Sequence, residues 1–131
     1  MIQWSEDYRL GINNIDEQHK QLFELANESY KILKDEILFD KYDQIVAIIN
    51  ELKEYTTKHF SEEEEFLASI GYPKLLSHKV QHADFIKKIE DIDLNKIDEN
   101  QEQALIDLLD FFSDWLLNHI LKTDSEYIKY I

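Results

Sequence analysis

Two glycines, Gly11 and Gly71, and one proline, Pro73, are all the backbone punctuation in 131 residues. A small β protein needs many tight turns, and turns draw heavily on glycine and proline, so a chain this poor in both is predicted to be a few long helices. The length suits a single hydrophobic core, two halves being too thin to bury one each. With 44% hydrophobic and 12% aromatic residues, the chain has the material to fill that core despite its high charge.

The charge excludes several partners. Fourteen Lys and Arg stand against 28 Asp and Glu, a formal net charge of −14, which repels a nucleic-acid backbone and an anionic membrane alike. No apolar run approaches the roughly 18 residues a membrane span needs, the longest clean runs resembling Ile45 to Ile49. The start, Met1-Ile2-Gln3-Trp4-Ser5-Glu6-Asp7, has neither the basic nor the apolar region of a secretory signal. The absence of cysteine removes disulfides, thiolate metal sites and cysteine nucleophiles together, and fits a cytoplasmic protein.

Apolar spacing predicts a single domain over residues 1–131: an extended arm over 1–15, then helices over about 17–38, 42–70, 74–91 and 101–129. In the arm, Trp4, Tyr8, Leu10 and Ile12 fall on one face, Gly11 breaks helical propensity, and Asp16 reads as the first helix's N-cap. The first helix turns Ile15, His19, Leu22, Ala26, Leu33 and Ile37 inward. The second does so with Ile45, Ile48, Leu52, Tyr55, His59, Glu63 and Phe66, and ends at Gly71-Tyr72-Pro73. The third carries Leu75, His78, His82, Phe85 and Ile89, and the polar stretch Asp93 to Asn100 reads as its exit loop. The fourth carries Leu105, Leu108, Phe112, Trp115, Leu116, His119 and Thr123. Four amphipathic helices with short connections predict an all-α, antiparallel up-down-up-down four-helix bundle.

All five histidines occupy positions where the register calls for an apolar side chain, and every helix supplies at least one. A lone inward histidine is ordinarily a hydrogen-bonded core residue. Five together leave ten ring nitrogens to satisfy, at about 1–3 kcal/mol for each one left unpaired; a metal removes that difficulty. His78 and His82, and likewise His59 and Glu63, are four apart, about 40° around a helix, and can grip one ion. Of the acidic run Glu62 to Glu65, only Glu63 is in register with His59, the others reading as a solvated face. His119 and Asp124 are five apart, about 140° on a regular helix, so they share a face only if a π-bulge intervenes. Five nitrogens and two carboxylates exceed one tetrahedral zinc and fit two ions sharing the carboxylates, with iron, manganese or zinc all compatible by ligand type.

The runs Gly11-Ile12-Asn13-Asn14-Ile15-Asp16-Glu17-Gln18-His19, His59-Phe60-x-x-Glu63, His78-x3-His82 and His119-x4-Asp124 follow one another in this order. In this the chain resembles the bacterial single-domain hemerythrins over nearly its whole length, and those proteins use the same spacing before the final aspartate. The resemblance implies two iron ions joined by an oxo or hydroxo bridge. His78, His82 and His119 would hold one iron and His19 and His59 the other, with Glu63 and Asp124 bridging. Dioxygen would bind reversibly at the open position of the second iron, in a dry pocket walled by Leu22, Phe60, Trp115, Ile120 and Leu121. The implied function is oxygen carriage, storage or delivery rather than enzymatic turnover, with a reductase or an oxygen-consuming enzyme as the partner to be sought. The alternatives are a di-iron oxidoreductase acting on nitric oxide or peroxide, and an iron store.

Overall fold

In the computed structural model, residues 3–35, 37 and 39–131 are described. Five α-helices are found among them: α1 Asn13–Lys34, α2 Tyr42–Ser69, α3 Leu75–Glu90, the short α4 Leu94–Glu99, and α5 Gln101–Asn118. No strand occurs among the described residues, and no helix is long and apolar enough to cross a membrane. The four long helices make the up-down-up-down bundle, with α2 packed on α1 and α3, and α5 closing against α1.

Local chemistry sets the ends of these elements, and in several places it differs from the sequence reading. The first helix begins at Asn13, so Asp16 is not its cap. Asp16 is buried in the first turn and its carboxylate accepts hydrogen bonds from the Leu10 amide at 2.8 Å and the Gly11 amide at 3.1 Å. This ties the arm to the helix, with Gly11 at φ +90° making the corner. The arm is not uniformly extended: Glu6–Tyr8 form a 3-10 turn capped by Ser5, and Trp4 and Tyr8 pack on Phe23. Helix α1 stops at Lys34 rather than continuing to 38, and Ile37 is 88% exposed instead of inward; positions 36 and 38 of the expected helix lie outside the described residues.

Gly71 ends α2 as its position predicts. At φ +66° it lets its own amide reach the Ala68 carbonyl and the Tyr72 amide reach that of Leu67, a Schellman closure. The stretch 93–100, expected as loop, contains α4, capped by Asp93 and anchored by buried Ile97; two apolar residues, Leu94 and Ile97, among six polar ones are too few for a periodic signal. The last helix runs on as expected, but in three geometries: α5, a π-helical turn His119–Thr123, and a 3-10 segment Asp124–Tyr130.

The interior holds two apolar clusters. The larger includes Leu22, Phe23, Ile45, Leu52, Phe60, Phe85, Leu105, Phe112, Leu116 and Ile120; the smaller has Leu10, Ile15, Leu67, Tyr72 and Tyr127. Asp16→Ala leaves the Leu10 and Gly11 amides without their charged acceptor, and is expected to lower stability by about 2 kcal/mol in urea unfolding. An unchanged midpoint would show that the arm is held by its aromatic packing alone.

Candidate metal centre

Among the described residues ten buried side chains are polar or charged, and seven of these are the sequence-predicted ligand residues: His19, His59, Glu63, His78, His82, His119 and Asp124, each 0–4% exposed. One ligand atom from each of Glu63, His78, His82, His119 and Asp124 lies within 4.8 Å of the others, and the same holds for His19, His59 and Glu63. The π-helical turn brings Asp124 in. Its amide donates to the His119 carbonyl five residues back, and the extra residue in that turn cancels most of the angular gap a regular helix would leave.

Both carboxylates divide their oxygens between two groups of histidines. Glu63 Oε1 lies 2.7 Å from His78 Nε2 and 3.1 Å from His82 Nε2, while its Oε2 faces His19 and His59 Nε2, each at 3.7 Å. Asp124 Oδ1 lies 2.8 Å from His119 Nε2 and 3.0 Å from His78 Nε2, while its Oδ2 lies 3.1 Å from His19 Nε2. The Tyr127 hydroxyl donates to Glu63 Oε2 at 3.2 Å, adding a group that the sequence reading missed.

The outward ring nitrogens explain why Nε2 is the inward one. His59 Nδ1 meets Gln18 Oε1 at 2.5 Å, His82 Nδ1 meets Glu64 Oε2 at 3.0 Å, and His119 Nδ1 meets Gln81 Oε1 at 3.1 Å. An amide or carboxylate oxygen only accepts, so each of these Nδ1 atoms donates, and each Nε2 presents a lone pair to the centre. His82 and His119 Nε2 are 3.0 Å apart. Two lone pairs at that separation repel unless a proton or a cation lies between them.

The same demand appears in the unsatisfied atoms. Both oxygens of Asp124 and Nε2 of His19 lack hydrogen-bond partners, although Oδ2 and that Nε2 lie 3.1 Å apart. These donors are imidazole nitrogens and carboxylate oxygens, and they fit two divalent cations of the iron, manganese or zinc type. Without a cation, protons take its place. Burial pushes the His19, His78 and His119 imidazoles down, but Asp124 and Glu63 outweigh it and hold each at about 9. Burial also opposes ionisation of Glu63 and Asp124, yet the surrounding imidazoles hold both below the ordinary carboxylate range. His59 moves the other way: burial takes it down to about 4, with Glu63 opposing and the positive His19 reinforcing.

Of the expected pocket wall, Leu22, Phe60 and Ile120 are buried and Trp115 is half-buried. Phe60 stacks on His82 with ring centroids 3.9 Å apart, and Trp115 stacks on His119 at 4.4 Å. Leu121 does not belong with them. It is 49% exposed, because two residues past His119 is roughly half a turn around the helix, on the opposite face. Nearness in sequence to a ligand was the wrong guide there. Gln18, Glu64 and Gln81 went unrecognised, since no spacing rule marks a hydrogen-bond acceptor for a ring nitrogen on another helix.

Fold and site together define a helical-bundle protein with a buried histidine and carboxylate centre for metal cations. Residues 10–131 match the Hemerythrin family, described as the Hemerythrin HHE cation binding domain. The chain is 51% identical over 128 residues to the Bacteriohemerythrin of Clostridium acetobutylicum, covering 98% of this chain and 99% of that one. It is 31% identical over 126 residues to the Myohemerythrin of Theromyzon tessulatum, covering 95% and 89%. A crystal structure of wild-type hemerythrin superposes with a TM-score of 0.78 at 25% identity, covering 98% of this chain and 96% of that one. The chain belongs to the hemerythrin family.

Metal uptake should therefore depend steeply on pH. The raised imidazoles of His19, His78 and His119 carry protons at pH 7, and a cation must displace them. Divalent-cation affinity is expected to rise with pH through the neutral range, with net proton release on loading, as read by calorimetry in buffers of different ionisation enthalpy. An affinity flat between pH 6 and 8 would contradict this.

Proposed function

We propose that residues 1–131 form one hemerythrin-like domain that binds dioxygen reversibly at a pair of iron ions in the cytoplasm, for oxygen carriage, storage or delivery. The observation that carries this is the divided geometry of Glu63 and Asp124, each with one oxygen toward His78 and toward His82 or His119, and the other toward His19. Two carboxylates so placed suit a pair of cations as bridges and suit a single cation poorly. In this reading His78, His82 and His119 would hold one iron and His19 and His59 the other, with Glu63 and Asp124 shared between them. Iron, when bound, supplies the two electrons that dioxygen takes up and gives back.

The chain's own contribution is exclusion and orientation. The ligand residues lie between the two apolar clusters, where water and loose protons are kept from the centre. Phe60 and Trp115 hold the planes of His82 and His119 by stacking, and Gln18, Glu64 and Gln81 fix which nitrogen points inward. The set favours reversible binding over forceful oxidation, because five neutral imidazoles against two carboxylates stabilise the oxidised metals less than a carboxylate-rich site does. The lack of cysteine fits a reducing compartment.

The test is anaerobic loading with ferrous iron followed by repeated exposure to dioxygen and argon. Two irons per chain and an optical change that reverses over many cycles are expected. One iron per chain, or oxygen consumed once without return, would sink the proposal; turnover of peroxide or nitric oxide would move the function to an oxidoreductase. His78→Ala is expected to lose at least one iron and the thermal stabilisation that iron confers.

The wall makes a separate prediction. Leu22→Gln puts a polar group into the buried side of the pocket, and should shorten several-fold the time for which the loaded protein can still rebind dioxygen. Leu121→Gln, on the outer face, should leave it at the parent's value. Equal lifetimes for the two variants would remove Leu22 from the wall.

A further inference from the structure

The ring nitrogens facing away from the centre have unequal partners. Those of His59 and His119 meet neutral amides, Gln18 and Gln81, while that of His82 meets the carboxylate of Glu64. The Nδ1 atom of His78, the third histidine of the same group, has no partner. The plane of the His82 ring is set by packing: Phe60 lies parallel to it at an interplanar angle of 3°, so the imidazole cannot tilt away from Glu64 without losing that stack. Glu64 stands on α2 beside a groove of about 600 Å³ between α2 and α3, which Lys79 and Lys87 also line. Its side chain is 23% exposed, whereas that of His82 is buried.

An imidazole whose N–H is shared with a carboxylate donates more charge through its other nitrogen than one whose N–H meets an amide. Resting on the ligand assignment proposed above, we propose that Glu64 is a positioning residue that makes the metal held by His78, His82 and His119 the more electron-rich of the pair. That metal is then held more tightly and gives up an electron more readily than its neighbour. The acidic run Glu62 to Glu65 acquires a division of labour: Glu63 reaches the centre, Glu64 reaches the back of a ligand, and Glu62 accepts from the Gln18 amide that orients His59.

The test compares three variants of the iron-loaded full chain. Glu64→Gln keeps an acceptor of the same shape and removes the charge, Glu64→Ala removes both, and Gln81→Glu places a carboxylate behind His119. Glu64→Gln is expected to shift the first midpoint potential positive and to weaken zinc binding to the metal-free chain about ten-fold, the lower end for partners of a ligating histidine. Gln81→Glu should shift the potential negative. Helix content and the melting of the metal-free chain serve as the structural control, and Glu64→Gln should leave them unchanged. Parent values of both potential and zinc affinity in Glu64→Gln would overturn the inference while leaving two-iron loading intact. A Glu64→Gln effect no smaller than that of Glu64→Ala on metal-free melting, with the potential unmoved, would likewise overturn it by reducing Glu64 to a structural contact. A parent chain that takes up fewer than two irons would overturn the ligand assignment and this inference together.

Discussion

Glu63 and Asp124 carry negative charge at the centre of a bundle from which water is excluded, and the structure is organised around compensating it. A buried ion costs several kcal/mol unless it is paired and hydrogen-bonded, and here the pairing comes from imidazoles on all four long strokes of the bundle. Each carboxylate touches groups from more than one helix: Asp124 faces His19 on α1 and His78 on α3, and Glu63 on α2 faces His19, His78 and His82. The site is thus a cross-tie between helices as well as a place for metal. Removing a single imidazole leaves a carboxylate oxygen facing empty, low-dielectric space, which is more damaging than the loss of one contact.

The apolar residues serve the same end by restricting geometry. Imidazoles converging on a metal centre need their ring planes fixed, and a hydrogen bond at Nδ1 alone leaves the ring free to tilt. Phe60 against His82 and Trp115 against His119 remove that freedom for two ligands of the same group. Phe60 also touches Phe85 and Trp115, so its position is determined by the larger core cluster. Core packing and ligand orientation are consequently one property here, since close-packed interiors transmit small displacements instead of absorbing them.

The elements legible in the sequence were those whose signal is periodic. The four long helices and the inward register of His19, His59, Glu63, His78, His82 and His119 all follow from a repeat near 3.6 residues. The break at His119-x4-Asp124 was itself informative, because a ligand pair out of phase with a regular helix requires a π turn. The misreadings have separate physical causes. Asp16 has the chemistry of a cap, but its carboxylate grips amides of the preceding arm instead of those of its own helix, and sequence pattern does not distinguish the two. Leu121 is near His119 in sequence, but angular phase decides and turns it outward. Glu64 is out of register with His59, which predicts a solvated side chain, yet a glutamate is long enough to reach sideways to the neighbouring helix. Ile97 has only Leu94 as an apolar companion in a polar stretch, and a helix of six residues is too short to establish a repeat.

The π-helical turn settles how much one local irregularity can deliver. A regular helix through His119 would turn Asp124 about 140° away, toward solvent, and would carry the residues beyond it along. With the wide turn in place, His119, Asp124 and Tyr127 all face inward over nine residues, and Tyr127 is wholly buried with its hydroxyl on Glu63. Tyr127 then packs against Tyr72 and Phe66, which belong to the small cluster on the side of the centre away from the main core. The extra residue gives up regular i to i−4 hydrogen bonding over one turn. In return the chain's last segment supplies the Asp124 carboxylate to the centre, places a hydroxyl on Glu63, and adds Tyr127 to the apolar packing beside them.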